Sequence, residues 1–179
     1  MLVIDAGMGN EFKNSENALD HEDDMETWKK SLQRGLVSGT SASVLSTLAL
    51  AAMGKRETGS AFAPTNAISH WLWRDKAFTR DGPSLRYTLT GYAIHHASAT
   101  FWAVLFEKLM GRRLDRKDKA MTLAVSTAAS AVACFADYQL TPKRLRPGFE
   151  ERLSRQSLAL VYGAFALGLA AGALTSRRD

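Results

Sequence analysis

What this chain lacks narrows the possibilities more than what it is rich in. Cys134 is the only cysteine among 179 residues, so no disulfide can close within one molecule. There is no basic segment ahead of an early apolar run, which argues against a signal peptide. A Walker loop, a Gly-x-Ser-x-Gly elbow, a paired Cys-x-x-Cys and a dinucleotide fingerprint are all missing, which removes the commonest nucleotide, hydrolase and zinc readings. The most telling gap is in charge. Asp, Glu, Lys and Arg make up 23% of the chain, yet residues 35–54, 87–106, 120–136 and 156–176 contain none. Each of these stretches opens just after a basic residue: Arg34, Arg86, Lys119 and Arg155.

The lengths, 20, 20, 17 and 21 residues, carry physical meaning. A hydrocarbon core of about 30 Å takes about 20 helical residues at 1.5 Å each. Backbone groups in lipid must be satisfied within the segment, and a helix does this. The competing reading is a water-soluble four-helix bundle, because 35–53 and 120–136 are rich in Ala, Ser and Thr. A soluble bundle helix, however, keeps a charged outer stripe every three or four residues. These segments have none on any face. The expected fold is therefore all-α: a membrane-spanning four-helix bundle with spans at about 35–54, 87–108, 119–138 and 156–175. Its partner is the lipid bilayer. The net charge of +5 does not call for nucleic acid, because the basic residues gather at span ends, where anionic headgroups are the simpler counterpart.

Residues 1–30 are set apart as a disordered acidic tail (Glu11, Glu16, Asp20, Glu22, Asp23, Asp24), and 31–179 as the transmembrane domain. Met25 offers an alternative start of translation. Trp28, Lys29 and Lys30 read as an interfacial anchor. In the longest connection, 54–85, residues 66–76 suit a short helix lying in the interface or dipping between spans, with Pro64 near its start. The connection 111–119 is short and basic, which favours cytoplasmic termini. The third, 139–155, holds Pro142, Pro147 and Gly148, followed by a helical turn at 149–153. Glu107 and Lys108, at the end of the second span, are expected to snorkel to the headgroups.

Small residues recur every fourth position at Gly35, Gly39 and Ser43, and again at Ala164, Gly168 and Gly172. Such rows let helix backbones approach closely, either within the molecule or between copies in a homo-oligomer. Ionisable groups at membrane depth are candidate functional residues. His95 and His96 lie mid-span but about 100° apart, too divergent for a helical metal pair, so no metal and no cofactor is expected. With topology placing the first and third connections on one side, His70, Asp75, His95, His96 and Asp137 form a candidate polar cluster. Three roles compete for it. Neutral histidines can bond neighbouring helices, a proton or metal site can form, or His70-x4-Asp75 can act as the base pattern of glycerolipid acyltransferases. That last pattern comes without the other blocks of the acyltransferases.

Three blocks carry a family resemblance. They are Pro64-Thr-Asn-Ala-Ile-Ser-His70-Trp-Leu-Trp-Arg-Asp75, then His96 with Phe101-Trp102-Ala103 and Glu107, and then Asp137-Tyr138 leading to Pro142-Lys-Arg144-Leu-Arg-Pro147-Gly148-Phe-Glu150. Together they resemble an uncharacterised family of small four-span bacterial inner-membrane proteins, over roughly residues 35–175. The resemblance implies a multi-pass topology in the inner membrane and no particular reaction. The expected role is that of a non-enzymatic membrane component. The alternatives are a small oligomeric transporter, a proton- or metal-responsive protein, and, more remotely, a lipid-modifying enzyme.

Overall fold

A computed structural model describes the backbone of residues 6–177 and the side chains of residues 24–177. Every regular element among the described residues is helical. The order is α1 (Ala6–Thr58), the short α2 (Ala63–Ile68) and α3 (His70–Trp73), α4 (Thr90–Leu114), α5 (Lys119–Phe135) and α6 (Arg155–Thr175). Tight 3-10 turns at Arg74–Thr79, Lys143–Leu145 and Phe149–Glu151 and wide π turns at Leu85–Leu89 and Ala136–Leu140 complete the connections. The boundary expected at residue 30 is not a break in the helix. α1 already runs from Ala6, while residues 1–5 of the acidic tail lie outside the described residues. No proline interrupts that stretch, and a helix nucleated in the following span extends through it at little cost.

Local chemistry explains where the helices stop. Gly59, at φ 76°, closes α1 in the left-handed conformation that a helix C-terminus favours. Asp118 caps α5 by accepting from Met121 N, and Ser154 caps α6 by accepting from Ser157 N. Glu57 reinforces the second cap, because its carboxylate accepts from Ser154 N and Ser154 Oγ, each at 2.7 Å. The end of α1 is thereby pinned to the start of α6.

Three helices among the described residues are long and apolar enough to cross a membrane: Asp24–Thr58, Lys119–Leu140 and Arg155–Thr175. The span expected at 87–108 is also helical, and α4 has 25 residues, but it is more polar than these three. His95, His96, Tyr92, Ser98 and Thr100 lower its hydropathy. α1 packs along both α4 and α6, α5 lies against α6, and α4 meets α5 over a shorter stretch.

The small-residue rows are used inside the chain. A Cβ at Gly35 would sit 2.5 Å from Val104 Cγ2, and one at Gly39 would sit 2.6 Å from Thr100 Cα, so α1 meets α4 almost backbone to backbone. On the other side, Cβ atoms at Gly168 and Gly172 would come within 2.4 Å of Ala42 Cα and Ser38 Cα. Ser43 is buried and Ala164 is half-buried. One apolar core gathers around Ala42, Ala103, Phe106, Phe165 and Leu169. A second, around Leu50, Ile68, Phe149 and Val161, joins the helices to the two long connections.

The expected short helix at 66–76 is two helices and a 3-10 turn. All six residues of α2 are buried, so this segment dips between the long helices instead of lying flat. Pro64 stands in its first turn, as expected.

Candidate functional site

His95 projects from α4 toward α1, where its Nε2 lies 2.7 Å from Ser46 Oγ. Ser46 Oγ also lies 2.7 Å from Ala42 O, its own helix's carbonyl. A hydroxyl has one proton to give. Both contacts are met when Ser46 donates to Ala42 O and accepts from His95 Nε2–H. Across the helices, Tyr162 of α6 donates its hydroxyl to Asp137 Oδ2 at 2.6 Å. Asp137 stands on the π turn that ends α5, where Thr141 N reaches back five residues to Ala136 O. Pro142, with no N–H to give, stops the helix there.

His95 and Asp137 line one cavity of about 60 Å³, together with Ser46, Ser98 and Tyr162, under a roof formed by Ile68, Pro147 and Phe149. At roughly 10–15 Å³ of such space apiece it has room for about four to six waters. The arrangement can hold a few waters or a small polar guest, and it places an imidazole and a carboxyl where a proton could be kept.

The other candidates are elsewhere. His70 sits in a clamp between the first and third connections. Its Nε2 and Trp71 Nε1 both lie 2.9 Å from Arg146 O. A carbonyl only accepts, so His70 Nε2 carries a proton. In return, Arg144 donates from Nη1 to His70 O at 2.9 Å and from Nη2 to Trp71 O at 2.8 Å. Gly148 makes this fit possible: its φ is 91°, and a Cβ there would meet His70 Cδ2 at 2.5 Å. Asn66 braces the same region, donating to Arg80 O and Gly82 O and accepting from Thr88 Oγ1.

Asp75 is exposed on the 3-10 turn beside a charged cleft. No hydrogen bond or ion pair joins it to His70 among the described residues. His96 turns away from the cavity and stacks on Tyr92, ring centres 5.8 Å apart, with its Nδ1 buried and unbonded. Of the five candidates, then, the fold brings His95 and Asp137 to one cavity and sets His70 and Asp75 on a second, charged cleft. His96 lines neither.

Several polar groups were not legible in the sequence. Glu107 does not snorkel. It is buried at the opposite end of the helices, where Arg177 Nη2 meets its Oε2 at 2.6 Å and Ser38 Oγ donates to its Oε1 at 2.8 Å. Lys108 does reach outward, to Asp24 at 2.6 Å and over the Trp28 ring at 4.5 Å. Glu150, in the third connection, is half-buried with Oε2 unbonded, and burial pushes its carboxyl above the ordinary value. A reader of the sequence has only weak signals for these: the acid at 107 follows an uncharged run, and Arg177 comes after 21 uncharged residues, just past the end of α6. No three or more His, Cys, Asp or Glu among the described residues are grouped so as to hold a metal. Comparison of the chain with protein-family models, curated proteins and solved structures gives no match.

Proposed function

We propose that the chain is a four-span protein of a bacterial inner membrane, a non-enzymatic component whose polar side chains hold the helices together. One observation carries the reading: large apolar side chains cover the outside while many hydroxyls lie buried between the helices. Leu36, Val44, Leu48, Phe101, Leu109, Val132, Phe135, Leu160 and Leu167 are exposed, while Ser38, Ser43, Ser46, Thr122, Ser126 and Ser130 are buried between the helices. In water the hydrophobic effect would drive the opposite distribution. In lipid the outer surface need only be apolar, and hydroxyls are best kept inside, bonding across helices.

The hydrogen bonds support a structural role. His95 to Ser46 ties α4 to α1, Tyr162 to Asp137 ties α6 to the end of α5, and Ser130 to Tyr162 O adds a second α5–α6 link at 2.7 Å. The acyltransferase reading is weakened because the ring nitrogen of His70 facing the third connection is already a donor. α4 crosses the membrane in this proposal despite its polarity, because much of its polar surface faces α1, α2 and the cavity.

The test is topological. In a Cys134→Ser background, Thr79→Cys and Lys117→Cys report the first and second connections with a membrane-impermeant maleimide. Labelling of the two from opposite sides of inverted and right-side-out vesicles is the expected result. Labelling of both from one side means that α4 does not cross, and refutes the four-span reading. A second reading, a proton-responsive protein, is favoured by one fact: His95 and Asp137 line the same cavity. A pH dependence of stability present in the wild type and lost in His95→Gln would favour it.

A further inference from the structure

An open groove lies between α4 and α5. Leu105 and Leu109 of α4 form one wall, Ala128 and Val132 of α5 the other, and Phe165 and Leu169 of α6 the floor. Its volume is about 240 Å³. That is far above the roughly 10–15 Å³ that admits a water, yet apolar walls give a water few partners. Arg113 is the one charged side chain among the described residues that line it. From Trp102, at the inner limit of the groove, to Arg113 is eleven helical residues, or about 16 Å at 1.5 Å each. One leaflet of a hydrocarbon core of about 30 Å has nearly that depth.

The mouth of the groove is the turn between α4 and α5, which carries Arg112, Arg113, Arg116, Lys117 and Lys119. None of the five makes an ion pair among the described residues. The two acids of the turn are already engaged: Asp115 with Arg34 and Arg177, and Asp118 with Met121 N. Lys117, at φ 56°, reverses the chain tightly, which keeps these cations together over the groove.

We propose that this groove is a binding site for an anionic glycerophospholipid, with one acyl chain between α4 and α5 and the phosphate held by Arg113 and the neighbouring cations of the turn. The inference rests on the membrane reading above. Two features point to a lipid: a chain-length apolar slot one leaflet deep, and unpaired positive charge at its headgroup end. Trp102 supplies the reporter, because it lines the inner end of the slot.

The test uses full-length protein in phosphatidylcholine vesicles holding a minor fraction of either phosphatidylglycerol or phosphatidylcholine with brominated chains, which quench indole fluorescence on contact. The difference between wild type and Trp102→Phe isolates the signal of Trp102. Brominated phosphatidylglycerol is expected to quench Trp102 preferentially, by about fivefold in relative affinity per engaged cation. Arg113→Gln with Lys119→Gln is expected to remove that preference, and Ala128→Leu to reduce quenching by both lipids by filling the slot. Equal quenching by the two lipids, or reversal of quenching by inorganic phosphate, overturns the proposal, the second by making the site one for a free anion. No Trp102 quenching in protein that floats with the vesicles overturns the lipid site alone. Protein that fails to float overturns the membrane reading itself.

Discussion

Glu107→Ala is expected to be among the most damaging single truncations in this chain. Glu107 and Arg177 are 1% and 2% exposed at their side chains, so neither charge can fall back on water. The substitution removes two guanidinium contacts, at 2.6 and 3.2 Å, and the acceptor of Ser38. Arg177 would keep Ala173 O at 3.1 Å and Asp115 at 2.9 Å, but Asp115 is half-exposed and shared with Arg34. Breaking a buried pair from one side costs about 3–5 kcal/mol, and the surviving Asp115 contact puts this case near the lower figure, about 3 kcal/mol. For a chain of this size each kcal/mol moves Tm by about 2–4 °C, so a fall of about 6–12 °C is expected in detergent. The control is Glu107→Met with Arg177→Met, which removes both charges while preserving bulk. It should recover most of the loss, because an apolar pair needs no partner. Thermal unfolding followed by tryptophan fluorescence reads all three proteins. If Glu107→Ala melts within about 2 °C of wild type, or if the double variant is worse than the single, the buried pair is not what closes this end of the molecule.

Further substitutions probe the other contacts. Gly168→Val should force α6 off α1, since the first carbon added already lies 2.4 Å from Ala42 Cα, and a loss of about 1–3 kcal/mol or more is expected in denaturant unfolding. Gly148→Ala strains a φ of 91° and strikes His70, so it should destabilise more than His70→Gln, which keeps a donor for Arg146 O; the comparison is a pair of melting curves. Glu150→Gln addresses pH. Burial raises the Glu150 pKa above its unfolded value, so its stabilising effect is complete below about pH 4.5 and is lost as pH rises through the folded value. The variant should therefore be the more stable protein at pH 8, with the difference shrinking toward pH 4; equal Tm differences at both pH values would refute it.

Much of this architecture could be read from the one-dimensional chain. Four uncharged stretches, each opening after a basic residue, correspond to four long helices, three of them long and apolar enough to cross a membrane. Gly35, Gly39, Gly168 and Gly172 announced close approach by spacing alone, since residues four apart share a helix face. The same rule separated His95 from His96 before any coordinates. Tertiary structure decided the rest. Whether a glycine row serves this chain or a second copy depends on which helices become neighbours, and α1 between α4 and α6 uses both rows internally. Glu107 looked like a snorkelling residue because nothing local reveals that Arg177, seventy positions away, folds back onto it. Asp137 reaches the cavity of His95 at the π turn that ends α5, and His70 becomes a strut because Gly148 leaves it room. Charge patterning acts through the solvent that each segment can tolerate, which sequence records directly; pairing of buried polar groups depends on which distant backbones meet, and that exists only once the helices have packed.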